Sequence, residues 1–123
     1  MSPLIAIYAA RAISVAWGGF WLWFGLASGI GEGGTPSEVF RHALVPGGIG
    51  FVTACVAWRW PGIGGKLLVV EGLLMAGIFA IGLLRPPTVS MAVFLTLTLI
   101  VPPIVAGLLF LSGTLSPQAP THA

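Results

Sequence analysis

The stretch LIAIYAARAISVAWGGFWLWFGL, residues 4–26, decides the fold. Arg11 is its only charged residue, and about 20 consecutive apolar residues are what an α-helix needs to cross a hydrocarbon core about 30 Å thick. The stretch therefore predicts a membrane-spanning helix. The whole chain has the same character, because 57% of its residues are hydrophobic and only 7% are charged, against roughly 25% charged in soluble domains.

Three further apolar segments predict spans at residues 45–58, 66–84 and 89–111. A chain of 123 residues has room for a single domain, 1–123. The tail at 112–123 is rich in proline and polar residues and is expected to be mobile. The predicted fold class is therefore all-α, an integral membrane four-helix bundle with short loops and one interfacial helix before the second span.

The interfacial helix is predicted at residues 36–44 from the signals at its start. Thr35 is a good helix cap, Pro36 suits the first helical position, and Glu38 completes a capping box. Its mixture of charged and apolar residues is typical of a helix that lies along the membrane surface. Pro46 is expected to bend the chain where it enters the second span.

Small residues recur at helical spacing in the second and third spans. Such a face lets two helices approach closely in lipid, where there is no hydrophobic drive between them. The packing residues predicted on this basis are Gly47, Gly50, Ala54 and Ala57 in the second span, and Gly72, Ala76 and Ala80 in the third.

The fourth span contains two adjacent prolines, Pro102 and Pro103. Each lacks a backbone N–H, so the helix should kink and leave carbonyls near Thr98 and Leu99 without their usual donors. Those carbonyls need partners inside the bundle. The hydroxyls of Thr98 and its neighbour Thr96 are placed to help.

Aromatic and cationic side chains predict where the chain meets the membrane surface. The turn after the second span carries the predicted anchors Trp58, Arg59, Trp60 and Lys66. The aromatic residues toward the end of the first span suit an interface as well; they are Trp17, Phe20, Trp21, Trp23 and Phe24.

The distribution of cations predicts the orientation. An even number of spans puts both termini on one side, with Arg11, Arg59 and Lys66, while Arg41 and Arg85 lie on the other. Because basic residues are enriched on the cytoplasmic side, this margin of one favours cytoplasmic termini. The expected location is the cell membrane, as a multi-pass protein of the bacterial inner membrane.

Two ionisable residues, Arg11 and Glu71, fall inside predicted spans, where hydrocarbon does not tolerate an unpaired charge. The two spans run in the same direction, and both residues are predicted roughly 8–11 Å below the same surface. They are therefore predicted to form an intramembrane ion pair. Such a pair either fixes the register of the helices or, alternatively, makes Glu71 a proton or cation site.

Several classes of function are excluded by what the chain lacks. Five basic and three acidic residues are too few for a nucleic-acid surface. The chain has no aspartate, and no serine or cysteine is set beside a base. His42 and His122 lack the spacing of metal or haem ligands. We therefore expect no catalytic, cofactor-binding or metal-binding residues.

Three stretches carry a resemblance to a known family. They are residues 20–26 (FWLWFGL), residues 57–61 (AWRWP) followed by Gly64 and Gly65, and Pro102-Pro103 followed by residues 107–110 (GLLF). The chain resembles a family of small bacterial four-span membrane proteins classed as a domain of unknown function, over about residues 11–112. The resemblance implies a fold and a membrane location, and it implies no activity.

The function predicted from the sequence is that of a non-catalytic accessory or structural subunit in the lipid bilayer. It would pack against partner helices or copies of itself. The alternative is an oligomeric small transporter or channel that uses Glu71. In size the chain is similar to the small multidrug transporters, which use a membrane-embedded glutamate, but their glutamate lies in the first span, where this chain has Arg11.

Overall fold

A computed structural model describes residues 2–82 and 88–115, except for the side chain of Pro46. Within these ranges the chain is helical with short connections, which confirms the all-α class. Its five helices are α1 (Pro3–Gly31), α2 (Pro36–Ala43), α3 (Ile49–Arg59), α4 (Pro61–Ala80) and α5 (Val89–Leu115).

Three of these helices, α1, α4 and α5, are long and apolar enough to cross a membrane, with 29, 20 and 27 residues. The helix α3 has only 11 residues, about 16 Å at 1.5 Å per residue. The first and last long helices therefore match the predicted first and fourth spans, while the predicted second span corresponds to a broken element made of α2 and α3.

The break between α2 and α3 occupies Leu44–Gly48. Val45 leaves the helical region there, with φ −124° and ψ 120°. It directly precedes Pro46, and proline disfavours the helical conformation of the residue before it. The bend predicted at Pro46 is thus present in the backbone.

The helices form a ring in which each long helix has two neighbours. The helix α1 packs against α5 on one side and against the α2–α3 segment on the other. In turn, α4 packs against α3 and α5. Consequently α1 and α4 occupy opposite corners of the bundle.

The helix α2 runs along α1 instead of lying across the end of the bundle. A Cβ atom added to Gly29 would be 2.8 Å from the Cα of Val39, and one added to Gly18 would be 3.1 Å from the Cα of Phe51. The residue numbers in each pair have nearly the same sum, as they must where two segments run antiparallel. The segment predicted to lie along the membrane surface therefore continues the line of α3.

Two predicted boundaries differ from the structure. The third span was expected to begin at Lys66, but α4 begins at Pro61, because proline is well suited to the first turn of a helix. The glycines after Pro61 are therefore helical. The tail was expected to begin at residue 112, whereas α5 continues to Leu115; residues 116–123 and Arg85 lie outside the described ranges.

The core lies between the four corners of the ring. The residues of the small-residue face predicted for the second span are all buried in the structure: Gly47, Gly50, Ala54 and Ala57. In α4, Gly72 is buried and Ala76 half-buried, while Ala80 is exposed. The largest buried cluster consists of Ala10, Trp17, Trp21, Ala57, Leu68, Leu99, Ala106 and Phe110.

The assignment of the first-span aromatics to the membrane interface is wrong for two tryptophans. Trp17 and Trp21 are only 4% and 5% exposed, whereas Trp23 is 64% exposed. Trp17 is admitted into the core because Gly50 on α3 has no side chain, and a Cβ there would press on the Trp17 ring.

Candidate functional site

Arg11 lies where α1 passes the end of α3. Its Nη2 donates a hydrogen bond to the carbonyl oxygen of Trp58 at 3.3 Å. The guanidinium also lies over the rings of Tyr8 and Trp58, 5.8 and 5.4 Å from their centroids. The Trp58 carbonyl is among the last of α3, where intrahelical donors run out and a cation is favourable. Arg11 therefore caps the C-terminus of α3.

Glu71 lies elsewhere, on α4, with different neighbours. Together with Thr53 of α3 it lines a groove on the outer face of the bundle, of about 290 Å³. The Glu71 Oε2 atom is buried and has no hydrogen-bond partner. The Thr53 hydroxyl donates to the Ile49 carbonyl at 3.1 Å. The remaining groove walls are apolar and come from Val45, Ile49, Leu67, Val70, Leu74 and Met75.

The structure thus puts Arg11 and Glu71 in separate surroundings, and no ion pair joins them in the described parts of the chain. One reason is the ring order, because α1 and α4 are at opposite corners. The other is depth. Arg11 is level with Trp58, and Gly64 of α4 packs on Ala57 beside it; Glu71 follows about seven residues later, or about 10 Å deeper.

One of the carbonyls next to the prolines of α5 has a hydrogen-bond partner that the sequence did not suggest. The Trp21 Nε1–H donates to the carbonyl oxygen of Thr98 at 2.8 Å, which is one of the carbonyls left free by the two prolines. The hydroxyls of Thr96 and Thr98 instead donate to carbonyls one turn earlier in their own helix, those of Ala92 and Phe94. The only hint in the sequence was an indole donor in a span.

Around the same kink, residues 96–100 form a π-helical turn. The Val101 N–H donates to the carbonyl of Thr96, five residues earlier. A wider turn of this kind accommodates the missing donors of Pro102 and Pro103 without breaking the helix. Pro103 is buried in the bundle, so the kink is part of the core.

Beside the kink, the indole nitrogen of Trp17 is buried and has no hydrogen-bond partner. An open groove of about 310 Å³ lies between α1 and α5 at this level, and Trp17 and Pro102 are among its lining residues. Its walls are otherwise apolar, apart from Thr98. No charged side chain is among the described lining residues of this groove, whereas Glu71 lines the groove between α3 and α4.

The predicted interface anchors gather at one end of the bundle. Trp58 and Trp60 are 50% and 53% exposed, and the Arg59 guanidinium lies 5.4 Å from the centroid of the Trp60 ring. Lys66 is exposed one and a half turns into α4. An exposed tryptophan pair with two cations is the arrangement that favours a membrane–water boundary.

At the opposite end, the predicted capping box at the start of α2 is confirmed. The Thr35 N–H and hydroxyl both donate to Glu38 Oε2, at 2.7 and 2.8 Å. The backbone hydrogen bond, followed by the hydroxyl, lowers the pKa of Glu38 below its usual 4.5. His42 and Glu32 are both among the lining residues of a small pocket of about 190 Å³.

Within residues 2–82 and 88–115, no three side chains of the kinds that bind metals come close enough to share one ion. The expectations of no catalytic residue and no cofactor remain predictions from the sequence. The polar features that the structure does bring out are the Arg11 cap, the Glu71 groove and the cationic end.

Comparison with known proteins gives one result. The model of a family described as a domain of unknown function (DUF7670) matches residues 1–121. This match confirms the resemblance to a family of unknown function. No curated protein and no solved structure matches the chain.

Proposed function

The chain belongs to this family of unknown function, and we propose from the arrangement of its polar groups that the protein is a non-catalytic, four-pass membrane protein. It acts as an accessory or structural subunit. Its α3–α4 face packs against a helix of a partner membrane protein or of a second copy.

Four passes are supported by the length of the broken element. It follows α1 from Val39, beside Gly29, to Trp58, beside Arg11. These two α1 residues are about 18 positions apart, or about 27 Å, close to the thickness of a hydrocarbon core. The α2–α3 segment thus covers the distance that a single helix of 11 residues does not.

The observation that carries the proposal is the unpartnered Oε2 of Glu71 in an outward-facing apolar groove. In a bilayer this groove faces lipid, and hydrocarbon offers a carboxyl group neither charge nor hydrogen bond. A helix that packs into the groove satisfies it when the side chains covering Oε2 turn aside and let a donor reach the carboxyl group. Polar side chains are the groups that hold helices together in lipid.

The orientation proposed is with both termini in the cytoplasm. The described cations at the terminal end, without any acid, are Arg11, Arg59 and Lys66; the opposite end carries Glu32, Glu38 and Arg41. The basic end is expected on the cytoplasmic side. The membrane is proposed to be the bacterial inner membrane, in line with the family that the sequence resembles.

The subunit proposal is tested by substituting Glu71→Leu, which removes the polar group and keeps an apolar groove. In mild detergent, the wild type is expected to give a defined homo-oligomer or a stoichiometric complex by light scattering. The substitution should weaken it by about 1–2 kcal/mol, roughly 5- to 30-fold. Glu32→Leu, at the end of the bundle, is the matched control. A wild type that is always a lone monomer contradicts the proposal.

The second candidate is a small transporter or channel in which Glu71 binds a proton or cation. It is favoured by one observation: Arg11 is occupied at Trp58, so no neighbouring cation in the described ranges neutralises Glu71. In proteoliposomes, Glu71→Gln should then abolish pH-dependent flux while the protein keeps its shape. If the wild type carries neither protons, fluoride nor organic cations, this candidate is ruled out.

A further inference from the structure

A cleft opens at the cationic end of the bundle, between the start of α4 and the end of α5. Its volume is about 570 Å³. Arg59 and Lys66 line it together with apolar residues that include Ile63, Leu111 and Leu115. It therefore combines two positive charges with an apolar surface. A soluble anion would contact only the charges, and an apolar helix would contact only the apolar surface.

The charge in the cleft is not compensated. No acidic residue is among its lining residues, and no ion pair engages Arg59 or Lys66 in the described part of the chain. Stacking on Trp60 holds the Arg59 guanidinium in place, so part of its conformational entropy is already lost before anything binds. Two cations held without counter-ions favour an anionic ligand.

The position of the cleft specifies which anion. The half-exposed Trp58 and Trp60 place this end at the headgroup level. The apolar residues of the cleft lie beside the two cations, because Ile63 stands between Arg59 and Lys66 in the chain and Leu111 packs at Gly65, next to Lys66. A ligand with an anionic head and an apolar tail fits both parts at once.

We propose that this cleft binds the headgroup of an anionic phospholipid, with its phosphate held by Arg59 and Lys66 and the apolar part of the lipid against Ile63 and Leu111. The proposal rests on the membrane location proposed above. It also fits the orientation, because the cytoplasmic leaflet is the one rich in anionic lipid surface charge. At the opposite end the described residues include Glu32 and Glu38, whose negative charge is unfavourable for an anion.

The experiment measures bound lipid by native mass spectrometry after reconstitution in phosphatidylcholine nanodiscs that contain increasing phosphatidylglycerol. The test variant is the double substitution Arg59→Gln/Lys66→Gln. The matched control is Arg41→Gln, which removes an exposed cation at the other end. Glycerol 3-phosphate is added separately as a soluble headgroup without a tail.

The wild type and Arg41→Gln are expected to retain phosphatidylglycerol in preference to phosphatidylcholine. The double variant should bind it about 30-fold more weakly, since each cation near a membrane surface contributes about a factor of five. Glycerol 3-phosphate should not displace the lipid. If the double variant does not fold, Lys66→Gln alone should give about a five-fold loss.

Four results overturn the proposal. One is equal retention of phosphatidylglycerol by the wild type and the Lys66 variants. Another is equal competition by glycerol 3-phosphate, which would make the cleft a site for free phosphate. The third is failure of the wild type to enter phosphatidylcholine nanodiscs, which would overturn the membrane location together with the lipid site. The fourth is insertion without any preference for phosphatidylglycerol over phosphatidylcholine, which would overturn the lipid site alone.

Discussion

At the scale of single residues, three polar side chains of this apolar chain bind backbone groups at helix ends or beside the prolines. Arg11 binds a carbonyl at the end of α3, Trp21 binds a carbonyl freed by the prolines of α5, and Glu38 binds the free N–H of Thr35 at the start of α2. Each of these backbone groups would otherwise lack a partner, and in apolar surroundings that is costly. Glu71 Oε2 and Trp17 Nε1 differ, because within the described residues neither buried atom has a hydrogen-bond partner.

The substitution Trp21→Phe tests the hydrogen bond from the Trp21 indole to the Thr98 carbonyl of α5. It keeps a ring in the core but leaves the Thr98 carbonyl without a donor, so the free energy of unfolding should fall by about 1 kcal/mol. The measurement is reversible unfolding in mixed micelles followed by circular dichroism. Trp23→Phe, at an exposed tryptophan, should change it by less than about 0.5 kcal/mol. Equal effects of the two substitutions would contradict the role of this hydrogen bond.

The capping box of α2 should respond to acid. The pKa of Glu38 is lowered in the folded state, so its contribution is complete above the ordinary value of 4.5 and is lost as the pH falls through the lower, folded value. A titration of the Thr35 amide resonance by NMR should therefore show an inflection below pH 4.5. Glu38→Gln should abolish it. An inflection above the ordinary value would show that the carboxylate is not stabilised by its cap.

At the scale of the elements, glycines decide how closely neighbouring helices approach. Gly64 packs against the backbone of Ala57, so α3 and α4 nearly touch at their connection. Gly77, farther along α4, has no atoms within 4 Å of where a Cβ would be. Both positions are glycine, but only at Gly64 would a side chain collide with a neighbouring helix.

Gly64→Ala should therefore destabilise the bundle, by about 1–3 kcal/mol, because the helices must move apart. Gly77→Ala should stabilise it by up to about 1 kcal/mol, since alanine is the better helix former where there is room. Thermal unfolding of both variants in the same detergent gives the comparison. Similar shifts of the same sign would mean that the α3–α4 contact is looser than described.

What could be predicted at this scale was whatever repeats along one helix. The buried face of α3 followed from the spacing of Gly47, Gly50, Ala54 and Ala57, and the start of α2 followed from its cap. These signals are local, so a single segment contains them. The start of α4 was missed because glycines after Pro61 are as typical of a turn as of a close helix contact.

What could not be predicted was which helices are neighbours. The spans gave the direction of both helices, but they put Arg11 and Glu71 at one depth because α4 was expected to begin at Lys66 and not at Pro61. The pairing required α1 and α4 to be adjacent, and the ring order places them at opposite corners. Likewise, nothing near Trp21 in the sequence indicated that its partner is Thr98, 77 residues away.

At the scale of the whole molecule, the open question is the number of crossings. Three helices are long enough to span by themselves, and the proposed fourth crossing is the bent α2–α3 segment. If that segment crosses, Ser37 and Gly62 lie on opposite sides of the membrane. If it does not, they lie on the same side.

Cysteine labelling decides between these topologies. In a Cys55→Ala background, Ser37→Cys and Gly62→Cys should react with a membrane-impermeant maleimide from opposite sides of sealed vesicles. Ser37 is exposed, and Gly62 has open space around its Cα, so neither change should disturb the fold. Labelling of both from the same side would reduce the count to three crossings.

The ring also dictates an order of events during synthesis. The helix α1 packs against α2, α3 and α5, and α5 is the last of these partners to be synthesised. Until the ribosome has released α5, the N–H of Trp21 has no carbonyl to meet and the buried face of α1 is uncovered on one side. A nascent chain stopped before Thr98 is therefore expected to be unfinished in its first helix as well as its last, and to be a substrate for membrane quality control.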